Sequence, residues 1–192
     1  YYNASGSIQF AGVKTLTGRA LAADEFSFEL SGGNLAEAEV VKNAADGSFS
    51  FSEIKYTEED IGKTYTYTVK EIIPETKAEG IAYDETVYEI EVTITDNGDG
   101  TLKVVATDNV NTIAFVNAFE TDGNLQLTAK KTLTGAVLKD GQFTFSLTGD
   151  GVQQEKTNDV NGVITFDALT FDQTDIGSTY TYVVKETSEA GN

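Results

Sequence analysis

Two eight-residue stretches, Thr64–Glu71 and Thr179–Glu186, constrain this chain more than any other feature. Each reads Thr-Tyr-Thr-Tyr-x-Val-Lys-Glu. Aromatic and β-branched residues at alternate places carry the period of a β-strand. Successive side chains on a strand point to opposite faces, so Tyr65, Tyr67, Val69 and Glu71 share one face and Thr64, Thr66, Thr68 and Lys70 the other. The apolar face is the one to be buried, yet its last member is a carboxylate. Glu is almost never fully buried without a partner. Glu186 stands on the tyrosine face in the same way. The core needs a reason for that acid.

The two strands close a longer repeat. Lys14-Thr15-Leu16-Thr17-Gly18 matches Lys131-Thr132-Leu133-Thr134-Gly135, and Phe26-Ser27-Phe28-Glu29-Leu30 matches Phe143-Thr144-Phe145-Ser146-Leu147. Gly47–Phe51 then matches Gly162–Phe166, and Asp60-Ile61-Gly62 matches Asp175-Ile176-Gly177. From Lys to Glu the separation is 71 − 14 = 57 in one copy and 186 − 131 = 55 in the other, a short loop difference. The first copy continues with a strand whose inner face is Tyr88, Ile90, Val92 and Ile94. A turn at Asp96-Asn97-Gly98-Asp99-Gly100 leads into Leu102–Val105, and a final strand covers about Ile113–Phe119. The second copy ends at Asn192 before any equivalent of these strands, and Tyr2-Asn3-Ala4 resembles Val116-Asn117-Ala118. The expected organisation is therefore the last strand of a preceding repeat (residues 1–5), a complete β-sandwich (6–120) and an incomplete second repeat (121–192).

Composition narrows the function classes. Hydrophobic content of 40%, with one Pro and 18 Gly among 192 residues, fits real cores joined by tight turns. A net charge of −18 argues against nucleic acid or an anionic membrane as a partner. With no Cys and no His, neither disulfides, thiolate or imidazole metal sites, nor Ser/His or Cys/His catalysis are available. There is no apolar run of membrane-spanning length and no secretion signal in these residues. The acidic turn at Asp96–Gly100 lacks the EF-hand order and its distal Glu, so a hairpin is favoured over calcium.

Parity places two more polar residues inward. Lys14 shares a face with Ile8, Phe10, Gly12 and Leu16, and Lys131 with Leu125, Leu127, Ala129 and Leu133. Lys130 falls outward with Gln126 and Thr128. Asn117 shares a face with Ile113, Phe115 and Phe119. A plain buried salt bridge with an amide alongside is one account, and solvated strand ends another. A buried ion pair, however, is seldom better for stability than apolar packing, so its repetition needs a cause. The chemical account is a bond between the Lys14 amine and the Asn117 carboxamide with loss of ammonia. An apolar site lowers the pKa of a Lys and raises that of a Glu. Glu71 would then hydrogen-bond the amide, polarise its carbonyl and carry a proton from the amine to the leaving nitrogen. Groups held within reach by folding gain effective molarities of roughly 10⁵–10⁸ M. No metal or cofactor is called for.

The ordered set Lys-Thr-Leu-Thr-Gly, Phe-x-Phe-x-Leu, Tyr-Thr-Tyr-x-Val-Lys-Glu, Tyr83-Asp84, Asp96–Leu102 and Phe115-x-Asn117 resembles the pilin isopeptide-linkage domain of Gram-positive surface proteins. The resemblance covers residues 8–120 in full and 125–188 in part. It implies an all-β fold of tandem, Ig-like (Cna B-type-like) sandwiches in an extracellular stalk or pilus. It also implies Lys14 and Asn117 as bond partners with Glu71 as the catalytic acid. Lys131 and Glu186 match in the second copy, whose Asn position is missing; Asn192 does not match the motif. By the same match Asn3 would partner a Lys of a preceding domain. The expected partners are neighbouring domains of the same array or fibre. An alternative is an adhesin module gripping a host ligand through loops such as 34–39 and 75–80. A glycosidase-like pair of carboxylates is a third account, disfavoured because only Glu71 and Glu186 stand out by position.

Overall fold

A computed structural model describes residues 2–108 and 110–188. The described chain is all-β apart from two single 3₁₀ turns, and it divides into two compact units, residues 1–120 and 121–192. Asn192, set aside above, lies outside the described residues.

Unit 1 runs β1 (Ser5–Ile8), β2 (Ala11–Thr17), β3 (Ser27–Gly32), β4 (Glu39–Lys42), β5 (Ser48–Ser50), β6 (Ile54–Thr57), β7 (Thr64–Glu71), β8 (Ile81–Ala82), β9 (Val87–Asp96), β10 (Leu102–Ala106) and β11 (Ile113–Phe119). A five-stranded sheet in the order β10-β9-β7-β3-β4 faces a four-stranded sheet in the order β5-β2-β11-β8, and β1 pairs with β6. The tyrosine strand β7 is central, with antiparallel neighbours β3 and β9 on its two sides. Its inner face carries Tyr67, Val69 and Glu71, all buried, as the alternation requires. Rings from both sheets fill the space between them. Phe28 stacks on Phe49 at 4.0 Å and on Phe115 at 5.3 Å, and Phe10 lies 5.3 Å from Tyr67. Tyr56 and Tyr67 join hydroxyls at 2.7 Å, which keeps two buried phenols satisfied.

The first long strand and the last are parallel neighbours. β2 and β11 align Lys14 with Phe115 and Leu16 with Asn117. The expected single strand from Ile8 to Leu16 is divided: β1 pairs with β6, and β2 pairs with β5 and β11. The inward parity nonetheless continues across the break, because Phe10, Gly12, Lys14 and Leu16 are all buried. Residues 2–5 pack on unit 1. Ala4 belongs to its core, Ser5 pairs with Thr57, and the Tyr2 hydroxyl donates to Asp96 at 2.6 Å.

Unit 2 runs β12 (Asp122–Leu125), β13 (Thr128–Lys130), β14 (Thr144–Gly149), β15 (Val152–Thr157), β16 (Val163–Thr165), β17 (Leu169–Asp172) and β18 (Val183–Glu186). These form the pairs β12-β17 and β13-β16 and a three-stranded sheet β15-β14-β18. Its small core is Phe145, Leu147, Ile164, Phe166 and Leu169. The second tyrosine stretch departs from its counterpart, since only Val183–Glu186 is strand. In unit 1 β9 pairs with β7 from Thr64 to Lys70, whereas among the described residues β18 pairs with β14 alone, opposite residues 183–186. A tyrosine-rich segment that meets no second ladder among the described residues stays irregular.

Candidate functional site

Lys14, Glu71 and Asn117 meet inside unit 1. Lys14 comes from β2 and Asn117 from β11, side by side in one sheet, while Glu71 ends β7 in the sheet opposite. The Lys14 ammonium nitrogen donates to Glu71 Oε2 at 2.5 Å, and both side chains are fully shielded from solvent. Asn117 Nδ2 donates to the other oxygen, Oε1, at 2.7 Å, and Asn117 is also fully buried. One carboxylate thus holds the amine on one oxygen and the amide nitrogen on the other.

The asparagine carbonyl has a partner of its own, because Oδ1 accepts the Asp84 main-chain N–H at 2.7 Å. The expectation that Glu71 would polarise this carbonyl is corrected here. A main-chain N–H can only donate and must face the amide oxygen, so the NH₂ group turns to the carboxylate.

Local structure fixes each group. The Lys14 main-chain N–H donates to Gly47 O at 2.7 Å, and Lys131 N–H meets Gly162 O at the same distance. Both glycines have positive φ (88° and 82°), and a Cβ on either would stand 2.1 Å from the lysine carbonyl oxygen. Lys14 Nζ lies 4.7 Å from the centre of the Phe26 ring. Phe26 is held by Asn43, a buried residue that sequence reasoning did not single out. Asn43 Oδ1 accepts the Phe26 N–H at 2.8 Å, and Nδ2 donates to the Ala22 and Ala44 carbonyls. Asn158 does the same for Phe143 in unit 2, with the Lys139 and Asp159 carbonyls as acceptors. The signal was present, because aligning the copies sets Asn43 against Asn158 at the offset 158 − 43 = 115 that also relates Thr64 to Thr179.

Burial pushes the Lys14 amine below its ordinary value, and the hydrogen bond to Glu71 only partly restores it. An amine whose proton is made easier to lose, beside an amide and with one carboxylate touching both nitrogens, is an arrangement for acyl transfer between them.

In unit 2, Lys131 Nζ donates to Glu186 Oε2 at 2.7 Å and lies 4.3 Å from the Phe143 ring centre. This pair is half-buried, and Ser188 Oγ donates to the second carboxylate oxygen at 3.1 Å. No asparagine side chain bonds to it among the described residues. Asn3 is exposed, whereas Lys14, Glu71 and Asn117 are buried. Leu125, expected inward, is 46% exposed at the start of the unit. Among the described residues no group of three or more acidic side chains is placed to hold a metal ion.

The model for FctA, the Spy0128-like isopeptide containing domain, matches residues 10–120 and again 127–192. The chain belongs to this family. Solved structures that it resembles include a mutant of the major pilin from Streptococcus pyogenes, at 19% identity over 95% of this chain and 82% of that one, TM-score 0.42. The T-13 major pilin of the same organism matches at 18% identity over 99% and 85%, TM-score 0.40. The Bacillus anthracis TIE protein matches at 23% identity over 96% of this chain and 28% of its own, TM-score 0.36. No curated protein matches the chain.

Proposed function

We propose that unit 1 closes its own Lys14–Asn117 isopeptide bond and that the chain is a segment of a bacterial surface stalk or pilus shaft. The observation that carries this is the single Glu71 carboxylate bonded to both nitrogens in a site closed to water. Glu71 takes a proton from the Lys14 ammonium. The neutral amine attacks Cγ of Asn117, the Nζ–Cγ bond forms, and charge develops on Oδ1. Glu71 returns the proton to Nδ2 and accepts another from Nζ; the Cγ–Nδ2 bond breaks and ammonia leaves. The reaction turns over once and needs no cofactor. Lys131 and Glu186 would be the amine and acid of the second unit.

The placement of the bond supports a load-bearing role. β2 enters near the start of unit 1 and β11 leaves at its end, in parallel, so tension on the two termini would shear this pair. A bond from Lys14 to Asn117 would carry that tension past the intervening sheets, and it would survive reducing conditions. A partner in a fibre and a cell-surface location follow from the family and belong to the same proposal.

Intact mass measured under denaturing conditions tests it. The wild-type chain should be lighter than its sequence by one ammonia, and Glu71→Ala should keep its full mass. Two full masses would end the cross-link reading.

A further inference from the structure

We infer that Asp84 is a positioning residue for this reaction, aiming its own main-chain N–H at the oxygen of Asn117 on which charge develops. The inference rests on the cross-link reading and adds the group that stabilises the carbonyl oxygen. β8 pairs with β11 only at Ala82–Ala118 and Ile81–Phe119, after which the two main chains part. The outer edge of β11 is then covered by side chains. Asp84 Oδ2 accepts the Val116 N–H at 2.8 Å, and Tyr88 Oη accepts the Ala114 N–H at 3.3 Å. Asp84 Oδ1 meanwhile accepts the Thr86 N–H at 2.9 Å. Both carboxylate oxygens are therefore engaged, one within its own turn and one on the residue next to Asn117. That staple leaves a single direction for the Asp84 N–H, and it meets Asn117 Oδ1 at 2.7 Å.

The chemistry needs a donor there. As the Lys14 lone pair adds to Cγ, the C=O electrons move onto Oδ1, and Glu71 cannot help because its two oxygens face the two nitrogens. A fixed N–H in a dry site stabilises such an oxygen without reorganising. Removing one such donor outright costs about 10²–10³ in rate, so losing only the side chain that aims it should cost about tenfold or more.

The test is the rate of ammonia loss. The full chain is synthesised in a cell-free extract, translation is stopped, and samples denatured at intervals are weighed intact. Asp84→Ala should cross-link about tenfold more slowly than wild type or worse, and Asp84→Asn, whose amide oxygen can keep one of the two N–H bonds, should fall between. Should Asp84→Ala fail to fold, Asp84→Asn decides. The residue 84 amide proton should move upfield and exchange faster in the slow variants, a change that a purely structural staple elsewhere would not give. Wild-type rates in both variants would overturn the inference. So would a slow variant whose residue 84 amide keeps its shift and its protection, because the side chain would then act in some other way. A wild-type chain that stays at full mass would overturn the cross-link reading and this inference with it.

Discussion

Units 1 and 2 assemble the same lysine, glutamate and phenylalanine, and the two pairs differ in what surrounds them. In unit 1 the Lys14 and Glu71 side chains are fully shielded, and in unit 2 Lys131 and Glu186 are 21% and 34% exposed. The electrostatics follow. Burial dominates at Lys14 and lowers the amine, whereas at Glu186 the hydrogen bond from Lys131 dominates and lowers the carboxyl. Burial makes the Lys14 proton easier to lose in the first site, and in the second the Lys131 hydrogen bond favours the charged carboxylate of Glu186. Among the described residues unit 2 has no counterpart of β9, which flanks β7, or of β11, which supplies the amide from the opposite sheet. The pair belongs to the first half of the repeat; dryness and the electrophile arrive with the second. A cross-link in unit 1 therefore cannot close before β11 docks beside β2.

The comparison breaks most sharply at Asn117. Replacing it by alanine removes the electrophile and leaves Lys14 and Glu71 in place. The lost bond would close a loop of 117 − 14 = 103 residues, and in the chain-entropy model that constraint contributes about 4–5 kcal/mol. Native-state hydrogen exchange reports each unit separately. Protection of β7 and β9 should fall by about that amount in Asn117→Ala, with β14 unchanged. Equal protection in wild type and variant would mean that the bond does not form or does not constrain the unfolded chain.

Much of this site was legible because side-chain parity on a strand does not depend on where the strand lies. Lys14, Glu71 and Asn117 each sat on an apolar face in the sequence, and each is buried. What parity could not give was the partner sheet. Nothing in the alternation of β2 or β7 says that Lys14 and Glu71 come from opposing sheets while Lys14 and Asn117 come from adjacent strands. The Asp84 N–H was out of reach for a different reason. It is a main-chain group in an irregular turn, and only the covered edge of β11 gives it a direction. The second tyrosine stretch misled because strand propensity at Thr179–Tyr182 meets no pairing ladder among the described residues to realise it.

A second contrast concerns the pairs themselves. In the Asn117→Ala background, Lys14→Met should leave Glu71 buried without its cation, a loss of about 3–5 kcal/mol for a buried pair broken on one side. Lys131→Met removes the matching cation in unit 2, where water already reaches both partners. Its cost should be far smaller. Urea unfolding followed by amide signals from β7 and from β18 measures both. Similar costs would show that the difference in exposure does not matter energetically.

The smallest effect distinguishes the units by pH. The Lys131 hydrogen bond holds the Glu186 carboxyl below its usual range, and Ser188 adds to this while desolvation opposes it. A carboxyl depressed in the folded state contributes stability that is fully present above its unfolded pKa, roughly 4.3, and that is lost as pH falls through the folded value. The β14–β18 pairing should therefore loosen as pH drops below about 4. Other carboxyls of unit 2, Asp172 among them, are also depressed, so the wild-type acid profile is a sum. Glu186→Gln separates the contribution. Its β18 amides should exchange faster than wild type at pH 6, and the two should converge as pH falls below the folded value of Glu186, where the group is protonated in both states. A constant gap between them across that range would show that Glu186 acts through packing rather than charge. Unit 1 supplies the contrast, because an acylated Lys14 would have no charge left to pair.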